Sequence, residues 1–327
     1  MGAIEKGTKF RILYLYQMLM RESDHEHPIT TNQLIRRLKE RYDIDVNRNT
    51  IGQDLEIMNQ SGLHIEVIHS TQNRYYYDGD LFEIPELKML IDAISSAKFI
   101  TERESDELIT KLLQLTNIYG AEKLRRHLSV SGRVKTENEK GYYIVDAVNE
   151  AIDTKKKIAF VYTDYDAEKN RIRKNDGQAY IMSPYAMIWD GDFYYVVGYC
   201  ESHDTIQHFR LDRIEAQPFI LADGQVPAPE GFDVADYMKS VFRMFRTDEP
   251  EQVTLLCEND LMKYLIDQFG MEVDTQVVDE EHFQAKVDVY PSPTFYRWVF
   301  GWGGRMKILE PQRVRKEYRR MARKALE

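Results

Sequence analysis

The hydrophobic period changes twice along this 327-residue chain, and that change constrains its fold more than any other feature. Up to about residue 156, apart from a short strand pair between residues 64 and 77, apolar side chains recur at the three-to-four spacing of amphipathic helices. From Lys157 to Glu215 the runs turn short, aromatic and β-branched, as strands are; beyond Gln252 strand-like and helix-like runs alternate. With 43% hydrophobic residues, a chain of this length can bury two or three cores. The expectation is an α+β multidomain protein.

Residues 9–21 repeat apolar side chains at helical spacing (Phe10, Leu13, Tyr14, Met18). After a polar, proline-containing loop, Thr30-Thr31-Asn32-Gln33 reads as a capping box opening a helix with Leu34 and Leu38 on one face. Asn47 is placed to cap a third helix that buries Ile51, Leu55 and Met58 and ends at Gly62. His64–Ile68 and Arg74–Tyr77 then form a hairpin. Three helices and a hairpin describe a winged helix-turn-helix over residues 1–80. Arg48, Asn49, Thr50 and Gln53 fall on the side opposite the core, where donors suited to base edges and phosphates belong. Arg36 and Arg37, with Lys39 and Arg41, are placed to hold the phosphate backbone. Polar residues are also the ordinary solvated face of a helix, and this segment carries 10 Lys and Arg against 12 Asp and Glu.

Residues 81–140 read as a helical linker. Gly141–Lys156 gives an amphipathic helix bearing Ile144, Val148 and Ile152. Four strand-like runs follow, Lys157–Tyr165, Gln178–Trp189, Asp192–Cys200 and Ile206–Glu215, with Asp190-Gly191 as a hairpin turn. They suggest a small SH3/Sm-like β-barrel within residues 141–225. Strand alternation puts Arg210 on the face opposite Phe209 and Leu211, and Arg213 with Leu211, so the two arginines share a side only if the strand ends between them. Residues 226–245, with two prolines and a glycine, are a linker that leads into a short helical piece. Residues 246–327 read strand-helix-strand-strand-helix-strand with a basic final helix, a ferredoxin-like order.

Three resemblances sharpen this reading. Asn49-Thr50-Ile51-Gly52-Gln53-Asp54-Leu55, then Ser61-Gly62-Leu63, resembles the recognition helix of DeoR-like winged-helix regulators, which often carry arginine where this chain has Asn49 and Gln53. Ser183-Pro184-Tyr185, Trp189 to Tyr199 and Phe209-Arg210-Leu211-Asp212-Arg213-Ile214 resemble the signature of WYL domains, with the Trp-Tyr-Leu triplet falling on Phe193-Tyr194-Tyr195. That resemblance implies a polar, basic pocket for a nucleotide-like or single-stranded nucleic-acid effector. It places Ser183, Tyr185, Arg210 and Arg213 there, and Tyr194 could stack on a base. The plainer alternative is that Arg213 pairs with Asp212 or Asp192 and that the tyrosines are core. Pro291–Trp298, Gly301–Gly304 and Arg313–Glu317 resemble the WYL extension (WCX-type) that packs on a partner chain, implying a homodimer. Together the resemblances imply a bacterial-type transcriptional regulator that binds a double-stranded DNA operator and responds to ligand. The alternative is a non-enzymatic interaction module that binds protein or RNA partners.

The net charge of −10 does not exclude DNA, because a local footprint suffices, and Arg305–Lys324 is strongly basic. No enzyme is expected. Gly301-Trp302-Gly303-Gly304 lacks the Lys-Ser/Thr of a phosphate loop, and no nucleophile elbow is present. His25 and His27 have no third ligand nearby, and Asp164 and Asp166 flank a turn, so neither metal nor other cofactor is expected. Cys200 and Cys257 read as small buried hydrophobes in a reducing compartment. With no apolar run long enough for a membrane and no secretory leader, a cytoplasmic protein is expected.

Overall fold

The computed structural model describes residues 8–126, 134–234, 237 and 250–325. His127 and Leu128, part of the expected helical linker, lie outside these residues. So do most of the expected linker's second half and the short helical piece after it. The chain divides into two compact units, Met1–Glu139 and Lys140–Glu327.

The first unit opens with helix α1 (Thr8–Glu22), strand β1 (Ile29–Thr30), helices α2 (Thr31–Tyr42) and α3 (Arg48–Gln60), and the hairpin β2 (Ile65–Ile68) and β3 (Arg74–Tyr77). The strands form one antiparallel sheet in the order β1-β3-β2. The expected caps are in place. Thr30 and Gln33 close a reciprocal capping box on α2, Asn47 Oδ1 accepts the Thr50 N–H at 2.9 Å, and Gly62 takes the left-handed conformation, φ 81°, after α3. The core joins Leu15, Met18 and Leu19 to Leu34, Leu38, Ile51, Leu55 and Met58. Phe10 and Leu13, expected inward, are exposed. The buried stripe of α1 runs Arg11, Leu15, Met18, and at ~100° per residue Leu13 lies roughly 160° round the helix from Leu15. Three further helices, α4 (Ile84–Ser96), α5 (Glu102–Leu112) and α6 (Ile118–Arg126), bury a small core of Leu87, Ile91, Ile109, Leu113 and Leu124.

The second unit begins with α7 (Gly141–Asp153) and continues through β4 (Lys156–Phe160), β5 (Thr163–Tyr165), β6 (Arg171–Arg173), β7 (Tyr180–Asp190), β8 (Phe193–Cys200), β9 (Thr205–Arg210) and β10 (Phe219–Gly224). Five of these make an antiparallel sheet in the order β10-β4-β7-β8-β9, and β5 and β6 pair separately. The expected barrel is not closed: β10 and β9 are opposite edges of an open sheet. The single strand expected over Lys157–Tyr165 is cut at Val161–Tyr162 into β4 and β5, which serve different sheets. Helix α7 covers one face of the large sheet, packing Ile144, Val148 and Ala151 on Ile158, Met182, Val196 and Cys200. The other face sets Ile188, Tyr195 and Val197 against Phe232, Val234, Tyr237 and Tyr290.

The remainder is β11 (Glu251–Glu258), α8 (Met262–Phe269), β12 (Asp274–Val277), β13 (His282–Val289), α9 (Pro293–Phe300), β14 (Met306–Glu310) and α10 (Gln312–Lys324). This is the expected element order, with the strands arranged β12-β13-β11-β14 and all neighbours antiparallel. Alternating Val253, Leu255 and Cys257 of β11 and Phe283, Ala285 and Val287 of β13 face the core.

Candidate nucleic-acid interface and ligand face

Helix α3 is amphipathic in a way that separates structure from chemistry. Ile51, Leu55 and Met58 are buried, whereas Arg48, Asn49 and Gln53 are exposed. The exposed side lines a cleft of about 920 Å³ between α3, the start of α2 and the β2–β3 hairpin. Asn32, Gln72 and Asn73 line it as well, so it offers amide and guanidinium donors on three sides, with Arg48 the only cation and Glu56 the only carboxylate among its lining residues. Arg48 is held by Asn32, whose Oδ1 accepts from Nε at 3.1 Å and from Nη2 at 2.8 Å. Thr50 also lies at this end, but its hydroxyl donates to Asn47 Oδ1 at 3.0 Å and completes the cap.

The basic residues of α2 do not behave alike. Arg37 and Arg41 both bind Glu22, tying α2 to α1, and Arg37 is largely covered. Arg36 remains exposed, 3.9 Å from Glu40, and lies one turn from Asn32 on the cleft side of α2. Arg36 is therefore the better placed of the pair for an outside anion.

Sequence reasoning missed two residues that build this site. Asp54 is buried inside α3 and receives a two-point hydrogen bond from Arg11, at 2.5 Å from Nε and 3.0 Å from Nη2. Asn59 holds both polar backbone atoms of Ile65, its Nδ2 donating to the carbonyl and its Oδ1 accepting the N–H, each at 2.6 Å, which fixes the hairpin to the end of α3. The signal for the first was the lone Arg11 on the apolar stripe of α1.

In the second unit the five candidate ligand residues do not converge on one open pocket. Gly198 faces β7 so closely that a Cβ there would stand 2.0 Å from the Ser183 carbonyl oxygen. The register slips between Pro184 and Ala186, a bulge at Tyr185. Ser183 Oγ accepts the Val226 N–H at 2.9 Å, and Tyr185 Oη donates to the Val226 and Pro227 carbonyls at 3.0 and 3.2 Å. Both side chains thus hold the segment that leaves β10. Tyr194 packs with the α7 side of the sheet, opposite Tyr195. Arg210 pairs in register with Tyr195, stacks 3.3 Å above the Phe193 ring, and makes a two-point ion pair with Asp212 at 3.0 and 2.7 Å. Burial works most strongly against its charge, but the Asp212 hydrogen bonds and the attraction of Asp212, Tyr195 and Tyr162 together outweigh it, so its pKa lies above the usual guanidinium value. Burial pushes the neighbouring Tyr195 phenol up to about 12, so it stays a neutral hydrogen-bonding group.

The strand ends at Arg210, and residues Leu211–Arg213 form one 3₁₀ turn. The two arginines accordingly go to different acids. Arg213 pairs with Asp164 of β5 at 3.4 Å, not with Asp212 or Asp192. Arg171 of β6 donates to the Asp212 carbonyl at 3.1 Å, so three arginines gather around this turn. Among the described residues no group of three or more His, Cys, Asp or Glu side chains could hold a metal ion, and His27 instead stacks on Tyr119 at 3.6 Å. Cys200 and Cys257 are both buried, and burial pushes the Cys257 thiol up to about 12.

These features define an α+β multidomain protein with a hydrogen-bonding cleft in its first unit and an arginine- and tyrosine-bearing sheet in its second. Within the second unit, residues 143–217 match the WYL domain and residues 249–326 the WCX domain. The chain thus carries a WYL domain, as the motifs around Trp189 and Arg210 implied. No curated protein matches it. Among solved structures it is similar to proteasome accessory factor B/C (PafBC) of Arthrobacter aurescens, with 18% identity and a TM-score of 0.32, over 95% of this chain and 47% of that one. It is also similar to a CRISPR Cas-related protein, with 11% identity and a TM-score of 0.39, over 100% of this chain and 87% of that one. The chain spans about half the length of PafBC. No described helix is long and apolar enough to cross a membrane.

Proposed function

We propose that this protein is a transcriptional regulator in which the first unit reads a DNA operator and the WYL domain senses a nucleotide-like or nucleic-acid ligand that modulates that binding. The observation that carries the reading is the exposed, donor-rich face of α3, presented to a cleft beside the β2–β3 hairpin while the opposite face forms the core. In this reading residues 8–80 act as a winged helix-turn-helix. Arg48, Asn49 and Gln53 address base edges, Arg36 a phosphate, and Thr50 and Arg37 hold the frame. We read the strand order β12-β13-β11-β14 as a ferredoxin-like layer. A homodimer placing two such heads on two half-sites suits the same reading.

On the sensing side Arg210, Tyr195 and Ser183 lie on one sheet face, and a ligand phosphate would compete with Asp212 for the Arg210 fork. The near-neutral cleft, with Arg48 against Glu56, favours a second reading in which the head docks a protein partner. Mobility shifts on the DNA upstream of the protein's own coding region, across a salt series with excess competitor, decide between them. Specific retention that falls with salt and is lost in Arg48→Ala/Gln53→Ala supports the regulator. Undiminished retention in that variant would sink the assignment of α3.

A further inference from the structure

Helix α10 carries seven Lys and Arg residues and one acid, Glu317, in a chain of net charge −10. Its inward side is fixed by Val314, which is buried, and by Tyr318 and Met321, which pack on the same core. Away from that side, Lys316, Arg319 and Arg323 follow one another at i, i+3 and i+7, all exposed, as one straight stripe. Arg313 and Arg320 are answered by Glu251 and Glu317. The three stripe cations have no acidic partner among the described residues. Like charges at these spacings repel, so the stripe weakens its own helix until a polyanion covers it.

We infer that this stripe is a second nucleic-acid contact, separate from α3, and that its partner is the sugar-phosphate backbone of duplex DNA. The stripe spans roughly 10 Å of helix, over which one DNA strand rises through about three phosphates. Three long cations on one line match that pitch. Single-stranded nucleic acid is held by aromatic platforms on which bases stack, and the one aromatic residue of α10, Tyr318, faces inward against Tyr296. A stripe without stacking rings or amide side chains is suited to backbone charge and not to base edges, so the contact is independent of sequence.

The test uses the full chain and a fluorescent random-sequence duplex, with affinity followed by anisotropy from about 50 to 200 mM salt. The triple variant Lys316→Gln/Arg319→Gln/Arg323→Gln should flatten the slope of log affinity against log salt by about 2.7. Wild type then loses roughly 40-fold more affinity than the variant over that range. The charge-keeping variant Lys316→Arg/Arg319→Lys/Arg323→Lys should retain the wild-type slope, which guards against a folding defect in the glutamine variant. Arg48→Ala/Gln53→Ala serves as a parallel arm. It should keep binding random duplex while losing any preference for the upstream DNA. If it keeps that preference, the reading of α3 fails and the α10 contact stands. An unchanged slope in the glutamine variant, a wild type with no affinity for random duplex, or a loss confined to a single-stranded oligonucleotide each overturns the inference.

Discussion

Asp54 lies in the middle of the motif read for DNA contact, yet its carboxylate turns inward to Arg11, while Arg48 and Gln53 on the same helix turn out. The two kinds of residue should separate cleanly on mutation. Asp54→Ala leaves a largely covered guanidinium without its acid and should destabilise the protein by about 3 kcal/mol, read by urea unfolding. Arg48→Ala/Gln53→Ala should cost less than about 0.5 kcal/mol while abolishing operator retention. A large stability loss in the second variant would mean that these side chains are structural. The periodicity of Ile51, Leu55 and Met58 made the inward and outward faces of α3 legible, because burial follows helical spacing. The partner of Asp54 was not legible, since the lone Arg11 on the apolar stripe of α1 marks a buried charge but does not say which acid, 43 residues away, answers it. The same limit hid Asp164 as the partner of Arg213 and Val226 as the partner of Ser183.

Elements whose ends are set by local chemistry were readable in advance: the Thr30–Gln33 box, the Asn47 cap, and the Asp190-Gly191 turn between β7 and β8. Asn47→Ala should cost about 1 kcal/mol and weaken DNA binding with it, because that cap positions the end of α3 that carries Arg48; thermal unfolding alongside mobility shifts would show both. Elements set by distant pairing were not readable. Strand β1 has two residues and exists through its ladder to Tyr75 and Arg74, and β10 shows no alternation strong enough to announce an edge strand. At the bulge, Ser183→Ala removes the acceptor for the Val226 N–H. Amide exchange at Val226 should then speed up about fivefold, as expected for losing roughly 1 kcal/mol of protection; unchanged exchange would show that the segment is held elsewhere.

Over the whole molecule, each of the two compact units has its own hydrophobic clusters, and residues 140–327 expressed alone should fold cooperatively, with near-ultraviolet dichroism from their buried tyrosines. A molten product would show that this unit depends on the rest of the chain. The α+β class and the order of elements after residue 250 follow from alternation along the sequence. Whether the five-stranded sheet closed did not, because alternation assigns each residue a face and says nothing of which edges meet. The engagement of Ser183 and Tyr185 with Val226 and Pro227 has a quantitative consequence. Any molecule that uses those two side chains confronts a tethered rival, the protein's own backbone, at a local concentration that dilution does not change. Half-saturation is then raised by the factor one plus the closing constant of that rival. A binding site built in this way ignores background levels of such a molecule and fills above a threshold, and each substitution that loosens the rival moves the threshold down.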